Sequence, residues 1–374
     1  MLGVSLAGTA FRVLFINRSK EQKVRKMEIE KQSFGVTSKG EQVTLYTLSN
    51  PNGMSVGLID YGAIVQSICV PAGEGKVLDV VLGYEKVADY EVNPPHFGAT
   101  IGRNGNRIEG GSFNLDGVNY ELSLNENGRN NLHSGPDGYE FRMWNAAVSE
   151  EDNSVCFSIL SPDGDQGFPG NFNVSVTYRL TDDNTLEIVY DGISDETTVA
   201  NMTNHSYFNL NGHHSGSIMK HFLQIDADGY VPVDEYSIPY GTVEPVDGTV
   251  FDFREGKEIG TDADSDNEQL AHTGGYDHNY ALNGEGMRKI AFACGDISGV
   301  TMEVESDLPG VQFYAGNFIS GEGGKDGIPY GVHEGFCLET QYFPNAVNVL
   351  AFESPKIEAA EKYHTVTRYH FGIR

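Results

Sequence analysis

Cysteine is scarce and scattered in this chain: Cys69, Cys156, Cys294 and Cys337, with no CxxC pair among them. That spacing argues against a disulfide framework or a zinc ribbon. With Cys69 and Cys294 inside apolar runs, it suits reduced thiols in a cytoplasmic setting. The N-x-S/T triplets at Asn173, Asn201 and Asn204 are then read as chance matches. Positive charge is also short, with 25 Lys and Arg against 53 Asp and Glu, a formal charge of −28. A nucleic-acid partner needs a basic footprint, which is missing here. The same excess disfavours anionic membrane surfaces and highly charged phosphates, and leaves neutral or cationic ligands. No apolar run is long enough to span a bilayer. The apolar start of "MLGVSLAGTAFRVLFINRSKEQKVRKM" precedes its basic residues, the reverse of a signal peptide. Residues 1–26 are therefore expected to be an extension outside the fold, with Met27 as an alternative start and 27–374 as a single domain.

Helical periodicity is nearly missing too. Only "GYEKVADYEV" and the stretch after Pro355 leave room for a turn or two of helix. What is abundant is glycine (45), tyrosine (19) and phenylalanine (20), set in alternating apolar and polar runs. "VTLYTLSNPNGMSVGLIDYGAIVQSICV" reads as two or three strands broken at Asn50–Gly53 and around Asp60–Gly62. "SFNLDGVNYELSL" reads as a hairpin, because Asp116-Gly117 tolerates the positive φ of a two-residue turn. Two more hairpins are expected at "VSVTYRLTDDNTLEIVYDG" and "IAFACGDISGVTMEVES". No internal repeat or linker interrupts them. The expectation is an all-β protein, one large antiparallel β-sandwich with few short helices.

Six segments break the alternation by placing polar groups beside glycine and aromatic residues: "GATIGRNGNRIEGG", "NNLHSG", "NMTNHSYFNL", "GGYDHNYAL", "PGVQFYAGNF" and "CLETQYFPNAVN". On one face of a sandwich they would line a pocket with aromatics and a few convergent hydrogen-bonding groups. That mixture suits a neutral sugar, which offers many hydroxyls and apolar CH faces. A metal is not expected: His213, His214 and His221 lack a matching ligand set, and adjacent histidines in a strand would face opposite ways. "GEGGKDG" has Asp326 where a phosphate loop needs Ser or Thr, and is read as a flexible loop. Arg103 and His278 are read as structural or, for Arg103, as a second binding residue.

Taken in order, these segments resemble the signature segments of the aldose 1-epimerase (galactose mutarotase) family across roughly residues 40–374. The resemblance implies a mutarotase-like β-sandwich that interconverts the α and β anomers of aldohexoses such as galactose and glucose, with no metal or organic cofactor. It implies Glu339 as general base and His205 as general acid. It places Arg107, His133, Asp277 and Gln312 on the sugar, with Asn106 and Tyr207 at neighbouring binding positions. Ser134 and Asn345 depart from the usual Gly and Asp of the family, at positions that move no proton. The implied partner is a neutral monosaccharide, bound by a monomer or homodimer in the cytoplasm. Three rivals stay open. A glycoside hydrolase would use two carboxylates, which Asp277 and Glu339 supply. A sugar-binding module would use the same groups without chemistry. A hexose 6-phosphate mutarotase would want a basic cluster that the segments lack.

Overall fold

The structure, a computed structural model, describes residues 29–320 and 323–374, so the expectation for residues 1–26 lies outside the described residues. Alternation of side chains becomes three large antiparallel sheets, with four two-stranded ones beside them among the described residues. Residues 30–79 form a five-stranded meander. A nine-stranded sheet is built around the hairpins Phe172–Leu180/Thr185–Ser194 and Arg288–Cys294/Val300–Ser306. A second five-stranded sheet contains Asp277–Ala281, Gly310–Tyr314 and Cys337–Gln341. All three sheets feed one hydrophobic cluster, for example Leu48 and Val56, Val176 and Ile188, and Val311 and Phe313. The expected β architecture with few helices is what forms.

The Asp116-Gly117 hairpin has φ of 52° and 88° at its two turn residues, as a tight two-residue turn demands. Helix Val87–Tyr90 lies inside "GYEKVADYEV". The stretch after Pro355 differs from expectation. It holds the short strand Lys356–Ile357, a turn and then the strand Lys362–Ile373, which pairs with Thr185–Ser194 on one side and Val300–Ser306 on the other. Tyr363, Thr365, Thr367, Tyr369 and Phe371 alternate inward there, so period two decides the conformation. Helix Glu268–Thr273 was not foreseen, being too short to show a period. Its signals were at its ends: the Asn267 side chain accepts from the Gln269 and Leu270 N–H groups, and Gly274 closes it at φ 68°.

Candidate active site

The second five-stranded sheet presents one polar face, and its register explains why. Asp277 is opposite Tyr314 and Tyr314 opposite Cys337; in the next row Asn279 is opposite Gln312 and Gln312 opposite Glu339. Successive residues point to opposite faces, so these six share a face while His278, Tyr280, Phe313 and Leu338 point into the core. His278 is fully buried against Phe251, and burial pushes its imidazole down to about 3. Its structural reading holds.

Glu339 and Asp277 line an open cleft above this face, together with Asn106, Arg107, His133, His205 and Tyr207. Its empty space, mouth included, is about 820 Å³. Gln312, the eighth residue expected there, does not line the cleft. It lies behind Asp277 and donates from Nε2 to Asp277 Oδ1 at 2.7 Å. Phe318, 70 % exposed at the rim, and Tyr314 add the aromatic surface.

The polar run "NMTNHSYFNL" carries His205 into place. Thr203–His205 pairs with Ala99–Ile101, and the His205 carbonyl accepts from the Gly98 N–H. Asn204 donates to the Gly98 carbonyl and accepts from the Ser206 hydroxyl, which fixes the turn after the imidazole. Asn201 accepts from the Tyr342 N–H at 2.9 Å, tying this segment to the end of the Glu339 strand. The many hydrogen-bonding side chains thus serve the backbone, while Met202, Phe208 and Leu210 enter the core. The His205 ring stacks on Tyr207, with centroids 5.0 Å apart. Its Nε2 lies 3.6 Å from Glu339 Oε1, too long for a hydrogen bond but close enough to exchange protons through a ligand. Its Nδ1 meets the Cys337 thiol at 3.5 Å.

His133 and Asn106 both adopt left-handed backbone, φ 51° and 60°, which is uncommon outside glycine and concentrates at functional sites. The Asn106 N–H donates to His133 Nδ1 at 3.1 Å. That nitrogen is therefore unprotonated, and His133 offers Nε2–H as a neutral donor. Arg107 reaches the cleft while its Nε and Nη2 clasp Glu126 at 2.7–3.0 Å. Arg103 is structural: its guanidinium, 1 % exposed, is spent on Pro169, Thr198 and Ser161.

Burial dominates the electrostatics. It pushes the Glu339 carboxyl well up, helped by the Asp277 charge and opposed by Arg107. It raises Asp277 as well, against Arg107 and Gln312. It pushes His205 and His133 well down, with His96 adding to both. It also keeps the Cys337 thiol neutral, with Glu339 contributing. The two shifts run toward one another: the Glu339 carboxyl gains proton affinity and the His205 imidazole beside it loses it.

Among the described residues two sets lie close enough to bracket a metal ion: His133, His205 and Glu339, and His213, His214 and Asp326. The second corrects an expectation. His213 and His214 sit in a turn, so their rings come together with centroids 4.7 Å apart instead of facing opposite ways, and Asp326 joins them in place of His221. Within the segment read as a flexible loop Lys325 is held in place: it is 5 % exposed and ion-paired to Asp79 at 2.5 Å.

The site residue not singled out in the sequence is His96, which lines the cleft between Pro95 and Phe97 in "NPPHFG". It lies just outside the polar segments, and only the double proline before it hinted at a fixed loop.

A family model described as aldose 1-epimerase matches residues 44–370. Galactose mutarotase of Sus scrofa is 41% identical over 325 residues, 86% of this chain and 92% of that protein. Aldose 1-epimerase of Escherichia coli (strain K12) is 39% identical over 336 residues, 89% of this chain and 96% of that one. Among solved structures, a GalM/aldose epimerase homologue from C. elegans aligns with a TM-score of 0.82 at 28% identity, covering 88% of this chain and 98% of its own. Galactose 1-epimerase from Lactobacillus acidophilus NCFM gives 0.81 at 27%, covering 93% and 99%.

Proposed function

Because the chain belongs to the aldose 1-epimerase family and interconverts the α and β anomers of aldoses, we propose that Glu339 and His205 carry the two protons of that reaction. Glu339 takes the proton of the C1 hydroxyl. As the C1–O1 bond becomes a carbonyl, the C1–O5 bond breaks and O5 receives a proton from His205. Rotation about C1–C2 presents the other carbonyl face. O5 then attacks C1, returning its proton to His205, while O1 recovers a proton from Glu339. Nothing is oxidised or reduced and no cofactor enters.

The 3.6 Å spacing of His205 Nε2 and Glu339 Oε1 is the observation that carries this assignment. O1 and O5 are both bonded to C1, so an acid and a base side by side can each serve one of them. Groups flanking a scissile glycosidic bond stand farther apart, at about 5 Å or more. His133 Nε2–H and Arg107 are donors for charge developing on those oxygens. Asn106, Tyr207 and Asp277 hold hydroxyls in this reading, and Gln312 acts by orienting Asp277. Galactose and glucose are the sugars we assign, in a cytoplasmic monomer or homodimer folded as a single domain from residue 29 onward. The shared core of the three sheets supports the last point.

Polarimetry of freshly dissolved α-D-galactose and α-D-glucose tests the pair. Glu339→Gln is expected to lose on the order of 10²–10⁴-fold in rate. Equal acceleration by wild type and variant would remove Glu339 from its role. Release of free sugar from a glycoside would revive the hydrolase reading.

A further inference from the structure

His96 has no part in the scheme above, yet it faces the same cleft. It sits in the loop before Ala99–Ile101 on left-handed backbone, φ 61°. Its Nδ1 is 2.8 Å from both carboxylate oxygens of Glu140. Glu140, its side chain 2 % exposed, belongs to a single 3-10 turn, Tyr139–Phe141. Among the described residues no other group hydrogen-bonds that carboxylate, and burying it alone would be costly. With Nδ1 held in this way, Nε2 is the ring nitrogen left without a protein partner. The His96 ring packs edge-on to His133, centroids 4.8 Å apart, and lies 5.6 Å from His205.

We propose that His96 is a further catalytic residue of this cleft, a donor to the sugar that Glu140 positions by holding Nδ1 and leaving Nε2–H for the substrate. The inference rests on the assignment of His205 and Glu339 to proton transfer. Burial by itself would lower the His96 imidazole, but the charge and hydrogen bond of Glu140 outweigh it and leave it raised. His205 and His133 are lowered in the same pocket, partly by His96. The three imidazoles thus divide the work. His205 exchanges a proton, His133 is a neutral donor, and His96 is the one whose surroundings favour a cation. A charged donor beside O1 and O5 strengthens as negative charge develops there, without transferring its own proton. The titratable groups in contact with His96 are Glu140, His133 and His205. Across the cleft stand Arg107, Asp277 and Glu339, with Tyr207 and Cys337 behind His205.

The test is the pH dependence of mutarotation by the full chain, on α-D-galactose from pH 5 to 9. His96→Phe fills the space without a donor and is expected to slow the reaction on the order of 10²-fold at every pH. Glu140→Gln keeps the ring but removes its counter-charge. Its rate is expected to be about tenfold lower at pH 8 and to recover as pH falls, through a limb below the ordinary histidine value of about 6.5, because burial still acts on the ring. The double variant should match His96→Phe and lack that limb. A wild-type rate for His96→Phe, or the same fractional loss at all pH values in Glu140→Gln, would overturn the proposal; the second is what a structural carboxylate produces. Should Glu140→Gln fail to fold, NMR titration of wild type decides: a histidine resonance missing in His96→Gln must titrate above about 6.5, and below it the idea falls. Activity lost in Glu339→Gln but kept in His96→Phe would sink this inference alone.

Discussion

Glu339 is costly to keep. A carboxyl that is 3 % exposed, next to Asp277, is held in place by the strand around it and relieved in part by Arg107. Its raised proton affinity fixes the sign of its effect on stability. At pH values below the ordinary 4.5 it is protonated in folded and unfolded chains alike and its contribution is fully present. As pH rises towards the folded value, the unfolded chain releases the proton first and the native state loses ground. Glu339→Gln cannot titrate. Its advantage over wild type in thermal unfolding is expected to grow from pH 5 to pH 8, by at most ~1.4 kcal/mol per pH unit. A difference that stays constant with pH would refute the burial argument. A difference that grows would show that the residue gives up stability for the role proposed for it.

At the scale of elements, the site depends on how short strands are held. Gly98 shows the requirement. Its N–H donates to the His205 carbonyl, its own carbonyl accepts from the Val65 N–H and the Asn204 side chain, and its φ is 66°. A Cβ at this position would collide with the Val65 carbonyl oxygen. Gly98→Ala is therefore expected to lose about 3 kcal/mol, combining left-handed strain with overpacking, and to lose activity as His205 shifts. Gly117→Ala is the control. It has φ 88° but nothing within 4 Å, so a loss of about 1 kcal/mol with unchanged mutarotation is expected. Urea unfolding and polarimetry on both variants separate strain from the loss of the site. These elements differ in how far the sequence discloses them. The Asp116-Gly117 hairpin is local and legible, because two residues set its turn. Gly98 looks like any other glycine until Val65 is folded against it.

For the molecule as a whole, the formal charge of −28 goes with a cleft proposed to take a neutral sugar. No helix among the described residues is long and apolar enough to cross a membrane. A neutral sugar feels little of the protein's long-range field, so kcat/KM on galactose is expected to change less than about twofold between 20 and 500 mM salt. A sugar phosphate or uronate should react more slowly at low salt and gain as screening increases. A strong salt dependence on galactose itself would contradict this account. Lys325, the one cation of the glycine-rich segment, is tied to Asp79 and offers no phosphate site.

From the sequence alone, alternation set the β class, the hairpins and most strand positions, because period two and turn chemistry are local properties. The polar segments and their resemblance to a family named the residues that would meet a sugar. Only the tertiary structure decided which of them touch. Register puts Gln312 on the face of Glu339, but its side chain turns to Asp277 and does not line the cleft. The pairing of His205 with Ala99 and the Asn201–Tyr342 bond bring an imidazole within 3.6 Å of a carboxylate far along the chain. The His96–Glu140 contact joins a proline-rich loop to a helical turn that share no pattern in the sequence. Such contacts escape a sequence reading because each depends on the packing of segments between which the chain shows no period, spacing or motif.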